Sequence, residues 1–263
     1  MSDSLYDRLA AAIRAEQPVA LATITAGPGT GAKLLVGPGS GVVGTLGDPD
    51  LDRVVARDAL GELAAGTTVV RHYGEHGEAR EAVVAVFVES FAPPPRLLVF
   101  GAVDFTAALV KVAKVLGYRV TVCDAREVFA TRARFPQADE VVVDWPDRLL
   151  GRVGAELTAR DAVCVLTHDA KFDVPALVAA LRTGVGYIGA MGSRRTHADR
   201  LARLAEVGVP PEAVDRIRAP IGLDLGARTP EETAVSICAE IIAQRTGRTS
   251  ARPLRDTAGP IHT

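Results

Sequence analysis

The sequence predicts an α/β protein: a C-terminal parallel sheet with helices on both faces, preceded by a small α+β domain. Three observations carry this. Residues 93 to 95 are a Pro-Pro-Pro run, and prolines that fix their own φ and restrict the preceding residue make a stiff, non-helical boundary. After it, short and continuously apolar runs alternate with longer amphipathic segments, as in strands buried on both faces and wrapped by helices. Before it, short Val- and Thr-rich runs are punctuated by the turn sequences GPGTG (27–31) and GPGSG (37–41). The expected division is 1–92, 93–248 and a loose tail over 249–263.

Element by element, residues 4–16 read as a helix. Strands follow over 18–24, 32–36, 41–46, 67–72 and 82–90, with helical apolar spacing from Asp50 to Ala64 between the third and fourth. They form an antiparallel or mixed sheet. In the C-terminal part, RLLVFG (96–101) precedes a helix whose Phe105, Ala108, Leu109, Val112 and Leu116 recur at spacings of three and four and which stops at Gly117. YRVTVCD (118–124), EVVVD (140–144), DAVCVLT (161–167) and VGYIG (185–189) continue the sheet, each separated by a helical segment. Thr229-Pro230-Glu231-Glu232 is a capping box with proline at the first helical position. The face Ala234, Ile237, Cys238, Ile241, Ile242 follows it.

Composition limits the function classes. The 263 residues carry 30 Lys plus Arg against 32 Asp plus Glu, so no basic excess exists to neutralise nucleic-acid phosphates. Hydrophobic residues make up 48%, enough for a substantial core, and no uncharged apolar run reaches the roughly 18 residues of a membrane span. Cys123, Cys164 and Cys238 sit far apart in apolar runs with no metal-ligand spacing, which reads as reduced core thiols. The first 17 residues lack a basic n-region and an apolar h-region, so the expected compartment is the cytoplasm.

In an open parallel sheet, ligands bind beyond the carboxyl ends of the strands. Four loops there hold candidate residues. Gly101-Ala102-Val103-Asp104-Phe105-Thr106 occupies the turn where a Rossmann domain carries G-x-G-x-x-G, but only the first glycine is present. Val103 is expected to fill part of the pyrophosphate approach, and Asp104 to cap the helix or repel a pyrophosphate. Asp124, some 20 residues on, stands where a ribose 2′-hydroxyl is held, and Arg126 nearby can accept a 2′-phosphate. Thr167-His168-Asp169 follows a buried strand; His168 is a candidate acid or base, or a loop residue hydrogen-bonded to its neighbours. Gly192-Ser193-Arg194-Arg195 combines glycine, a helix-capping serine and two arginines, an anion site unless the arginines simply solvate the surface.

The segments PPPRLLVFGAVDFTAAL, GYRVTVCDAR, ARFPQADEVV, VLTHDAKFD, YIGAMGSRR and RAPIGLDLGARTPEETAVSICAEII, in this order, resemble the C-terminal half of the xanthine dehydrogenase accessory factor family (XdhC/CoxI). VALATITAGPGTGAKLLV and VVGTLGDPDLDRVVARDAL resemble its first domain in layout. The resemblance implies an N-terminal family domain joined to a Rossmann domain. It also implies a role in maturing molybdenum hydroxylases: binding molybdenum cofactor (molybdopterin), helping to protect or sulfurate it, and delivering it to the apoenzyme. The chain departs from the family at two places. Members commonly carry G-A-G where this chain has Gly101-Ala102-Val103. Many have a Gly-rich first-domain segment ending in Cys or Glu where this one has Gly44-Thr45-Leu46-Gly47-Asp48-Pro49-Asp50. Any cysteine role falls to Cys123, beside Asp124.

The leading expectation is a non-catalytic cofactor-handling chaperone, a homodimer that meets a hydroxylase apoenzyme and a sulfurtransferase. The rivals are an NAD(P)-dependent oxidoreductase or dinucleotide-binding protein using Asp124 and His168, and a scaffold that binds no small molecule.

Overall fold

The structure, a computed structural model, describes residues 4–79, 81–248 and 251–259. The chain divides into two compact units, Met1–Pro93 and Pro94–Thr263.

The first unit contains α1 (Leu5–Arg14), β1 (Val19–Ala26), β2 (Lys33–Gly37), β3 (Gly41–Thr45), α2 (Pro49–Ala65), β4 (Val69–Tyr73) and β5 (Val84–Phe91). Its sheet runs β3-β2-β1-β5-β4 with every pair antiparallel. The period-2 alternation sends Ala20, Ala22, Ile24, Leu34, Val36 and Val86 to one face, against Leu51, Val55, Ala59 and Leu63 of α2. Val19, Leu21 and Leu35 point the other way and pack against Leu5 and Leu9 of α1. The carboxylate of Asp48 caps α2 by accepting from the N–H groups of Asp50 and Leu51.

The second unit contains β6 (Arg96–Phe100), α3 (Asp104–Val115), β7 (Arg119–Cys123), β8 (Glu140–Val142), α4 (Pro146–Val153), β9 (Ala162–Val165), α5 (Ala170–Leu181), β10 (Tyr187–Ala190), α6 (Arg194–Glu206), α7 (Pro211–Val214), β11 (Ile217–Arg218) and α8 (Pro230–Arg245). All strand pairs are parallel, in the order β11-β10-β9-β6-β7-β8. Counted from β6 this is the doubly wound order 3-2-1-4-5-6, with its reversal between β6 and β9. Leu97 and Val99 of β6 face α3 and α8, while Leu98 and Phe100 face the side covered by α4, α5 and α6. Both sets are buried, which is why the runs are continuously apolar.

Two sequence expectations fail here. No helix separates β7 from β8: residues 124–139 run as turns, held by side chains in place of a ladder. Asp139 accepts from the N–H of Val120 at 2.7 Å, and Arg132 donates to the carbonyls of Ala138 and Asp139. The segment has Pro136 and no apolar stripe at helical spacing. The two-residue β11, which pairs with β10, went unpredicted because it is too short to form an apolar run.

Of the tail expected over 249–263, residues 251–259 are exposed and contain one 3-10 turn, Leu254–Asp256; the remainder lies outside the described residues. Among the described residues no helix is long and apolar enough to cross a membrane. All three cysteines are buried and free.

Candidate functional site at the strand ends

The loops after β6 and β9 touch. Gly101 leaves β6 at φ +115, and a Cβ there would lie 2.8 Å from Thr167 Cγ2 and 3.1 Å from the Thr167 nitrogen, so a side chain does not fit. Its N–H donates to the Cys123 carbonyl at 2.9 Å, and its own carbonyl accepts from Thr106 Oγ1 at 2.5 Å. Val103 takes the N-cap position of α3 without a side-chain bond. Asp104, expected as a possible cap, is the first helical residue instead; it is exposed and lies 3.3 Å from Arg134. Val103, expected to obstruct the ligand approach, is half-buried and packs with Phe105 against the core under α3 and α8.

Asp124 is a structural hub. Its side chain is 3% exposed. Oδ2 accepts from the Ala102 N–H and from Arg126 Nη2, both at 2.8 Å; Oδ1 accepts from the Arg126 N–H at 3.0 Å and Nε at 2.9 Å. Burial pushes this carboxyl up, but the Arg126 fork and the two backbone donors outweigh it and hold it below its ordinary value. The carboxylate expected to take a ribose hydroxyl therefore has its acceptor positions filled by its own chain. The Arg126 guanidinium lies 4.5 Å from the Phe129 ring centroid and 6.0 Å from that of Phe172. Arg134, which sequence reasoning passed over, donates to the Ala102 carbonyl at 2.9 Å and lies 5.7 Å from the Phe129 ring. Two guanidiniums thus flank one aromatic ring beside the first turn.

After β9, Thr167 is buried and its hydroxyl donates to the Asp173 carboxylate. His168 is exposed and makes no hydrogen bond among the described residues, contrary to the expectation that its neighbours hold it. Asp169 is occupied as the cap of α5, accepting from the Lys171 N–H at 3.1 Å.

After β10, Gly192 adopts φ +145 and Ser193 caps α6, its Oγ accepting from the Thr196 N–H at 3.1 Å. Arg194 and Arg195 are exposed and form no ion pair among the described residues, and the first turn of α6 contains no acid. Beneath them lies a pair that sequence reasoning missed. Arg200 Nη2 donates to Asp173 Oδ2 at 2.9 Å and to the Met191 carbonyl at 2.8 Å, with the two side chains 3% and 5% exposed. Arg200 Nη1 and His197 Nδ1 are buried with no partner among the described residues. Burial, and then the Arg200 charge, holds the His197 imidazole below its ordinary value. The missed signal was an inward position: Arg200 lies one turn before Leu204, and these two are the buried residues of α6.

Cys123 donates its S–H to the Asp144 carbonyl at 3.3 Å, and burial pushes its thiol up to about 12. It is no ready thiolate at neutral pH. Among the described residues no group of three or more His, Cys, Asp or Glu is placed to hold a metal. A groove of about 740 Å³ between α4 and α5, lined by Leu150, Gly151, Val178 and Arg182, lies away from these loops.

A family model described as the XdhC Rossmann domain matches residues 97–241, and one described as the XdhC and CoxI family matches residues 12–74. A Bacillus subtilis protein described as a probable xanthine dehydrogenase subunit is 34% identical over 160 residues, 61% of this chain and 46% of its own length. PaoD of Escherichia coli, a molybdenum cofactor insertion chaperone, is 31% identical over 159 residues, 60% of this chain and 43% of its own length. The chain spans less than half the length of these curated relatives. A crystal structure described as a xanthine dehydrogenase from Bacillus halodurans, 23% identical, covers 96% of this chain and 98% of its own with a TM-score of 0.55, a likeness of fold. With the Rossmann model matching more than half of the sequence and the second model matching the first unit, the chain belongs to the XdhC and CoxI family.

Proposed function

We propose that this chain is an accessory protein in the maturation of a molybdenum hydroxylase of the xanthine dehydrogenase type. It binds molybdenum cofactor at the strand-end loops of its Rossmann unit, as a homodimer, and hands it to the apoenzyme after sulfuration by a partner sulfurtransferase. The observation that carries this reading is the character of those loops. Arg126, Arg134, Arg194 and Arg195 stand around them with unused peptide N–H groups at the start of α6, while the hydroxyl held against a carboxylate there, Thr167 on Asp173, is buried away from solvent. Such a surface is suited to holding an anionic pterin in one orientation, not to transforming it. With Cys123 buried and its thiol pushed up to about 12, this reading rests on a grip on the organic part of the cargo. An oxidoreductase reading gains no comparable support, since Asp124 is already saturated with donors and His168 has no partner among the described residues to set it as acid or base.

The test is gel filtration of purified protein with molybdenum cofactor, followed by activation of a cofactor-free hydroxylase. Comigration and faster activation are expected. Elution of all cofactor in the free fraction, with no change in activation, refutes the reading.

A further inference from the structure

We infer that the turn from Gly192 to Arg195 is a binding site for the dianion of a phosphomonoester, with Arg200 as its buried floor. As the anchor for the cofactor's phosphate it rests on the reading above; as an oxyanion site it stands on the geometry of the turn.

Four consecutive backbone N–H groups, those of Gly192, Ser193, Arg194 and Arg195, have no acceptor among the described residues, whereas their neighbours on either side are engaged. The Met191 N–H donates to the Val165 carbonyl at 2.8 Å, the Thr196 N–H to Ser193 Oγ, and the His197 N–H to the Ser193 carbonyl at 2.9 Å. The unused donors are thus confined to one turn at the positive end of a 13-residue helix.

Arg200 supplies an independent observation. It is 3% exposed, yet Nη1 has no partner among the described residues, and a buried charged donor left unmet is costly. The guanidinium bonds to the Met191 carbonyl, and Nη2 lies 3.7 Å from where a Gly192 Cβ would stand. It therefore lies directly under the turn. A Cβ on Gly192 would also come within 3.1 Å of Thr196. The bare glycine lets the turn pack closely against Thr196 and the guanidinium.

Charge selects the ligand class. Arg200 is balanced by Asp173, so the unpaired excess is the two charges of Arg194 and Arg195. A monoester dianion matches that excess, and a singly charged diester does not. The first Rossmann turn, where a pyrophosphate diester usually rests, instead exposes the Asp104 carboxylate. The first turns of α3, α4, α5 and α8 all carry acids.

The experiment titrates the full chain at pH 8 with methyl phosphate and, separately, dimethyl phosphate, read by calorimetry and by backbone amide shifts. Methyl phosphate should bind and shift the amides of Gly192 to Arg195. Dimethyl phosphate should bind at least ten-fold more weakly. The R194A/R195A variant, whose exposed side chains make no hydrogen bond or ion pair among the described residues, should fold normally by Trp145 fluorescence and lose at least ten-fold in methyl phosphate affinity. Unshifted amides at saturation, equal affinity for the two esters, or an unchanged double variant each overturn the site. Methyl phosphate binding without cofactor comigration refutes the proposed function and leaves the site standing. Cofactor comigration without methyl phosphate binding does the reverse.

Discussion

Replacing Asp173 by Ala removes the one carboxylate that holds both Arg200 and the Thr167 hydroxyl. Both members of the ion pair are about 95% shielded from water, so the deletion leaves a buried guanidinium with only the Met191 carbonyl. Breaking such a pair from one side costs about 3–5 kcal/mol. With an m-value of about 2–3 kcal/mol/M in urea, the midpoint should fall by roughly 1–2.5 M. Trp145 is the only tryptophan, and its ring lies 4.8 Å from that of Phe172, next to Asp173. Its fluorescence therefore follows the Rossmann unit alone and avoids averaging over two units. The double variant Asp173→Leu with Arg200→Met replaces the pair by apolar side chains and should restore most of the loss. A midpoint within about 0.2 M of wild type for Asp173→Ala, or a double variant as damaged as the single, would refute the reasoning.

Three further outcomes follow from local geometry. Gly101→Ala should destabilise by about 1–3 kcal/mol or more from backbone strain alone, plus the contact with Thr167. Gly117→Ala, also at positive φ but with open space around it, should cost distinctly less; equal losses in urea unfolding contradict the close approach. His76 Nδ1 lies 2.9 Å from Asp48 Oδ2. That bond raises the imidazole above its ordinary 6.5, and Asp48 is held below 3.8 first by the Leu51 N–H and then by His76. The histidine's contribution is complete below pH 6.5 and fades as pH rises through its folded value. The aspartate's is complete above pH 3.8 and fades as pH falls through its own. An NMR titration should place the His76 midpoint above 6.5 and Asp48→Asn should lower it; a wild-type midpoint at or below 6.5 counts against the contact. Burial pushes the thiols of Cys123 and Cys238 up to about 12 and that of Cys164 well above its ordinary range. A disulfide reagent at pH 8 should label none of the three until urea is added, and rapid native labelling would contradict their burial.

The parallel sheet was readable because doubly buried strands leave an unmixed apolar signature: RLLVF and AVCV cannot turn a polar face to water without losing one of their two cores. The Thr229 capping box was equally plain, since both of its reciprocal bonds join residues three apart. What escaped was pairing between distant residues. Asp173 and Arg200 are 27 positions apart, and Arg200 sits in HADRLARLAE, where arginine looks like a solvent-facing residue. Arg134 reaches the Ala102 carbonyl across 32 positions. The same limit misjudged Asp124: an acid at the second strand end signals a ribose site only while no neighbouring arginine folds back on it, and Arg126 does.

The reversal of strand order between β6 and β9 also has a consequence for biosynthesis. Arg96, which opens β6, donates its N–H to Asp161, just before β9, at 2.6 Å across 65 positions. At a synthesis rate of about 5–20 residues per second, β6 emerges roughly 3–12 seconds before the strand that must lie along its other side. During that interval Leu97 to Phe100, able to pair with β7 on one side, present an unpaired apolar edge on the other, a hazard for aggregation. Its open flank is closed only when β9 arrives, so a nascent chain stalled before Ala162 should draw holdase chaperones that one stalled well past Ala190 no longer attracts.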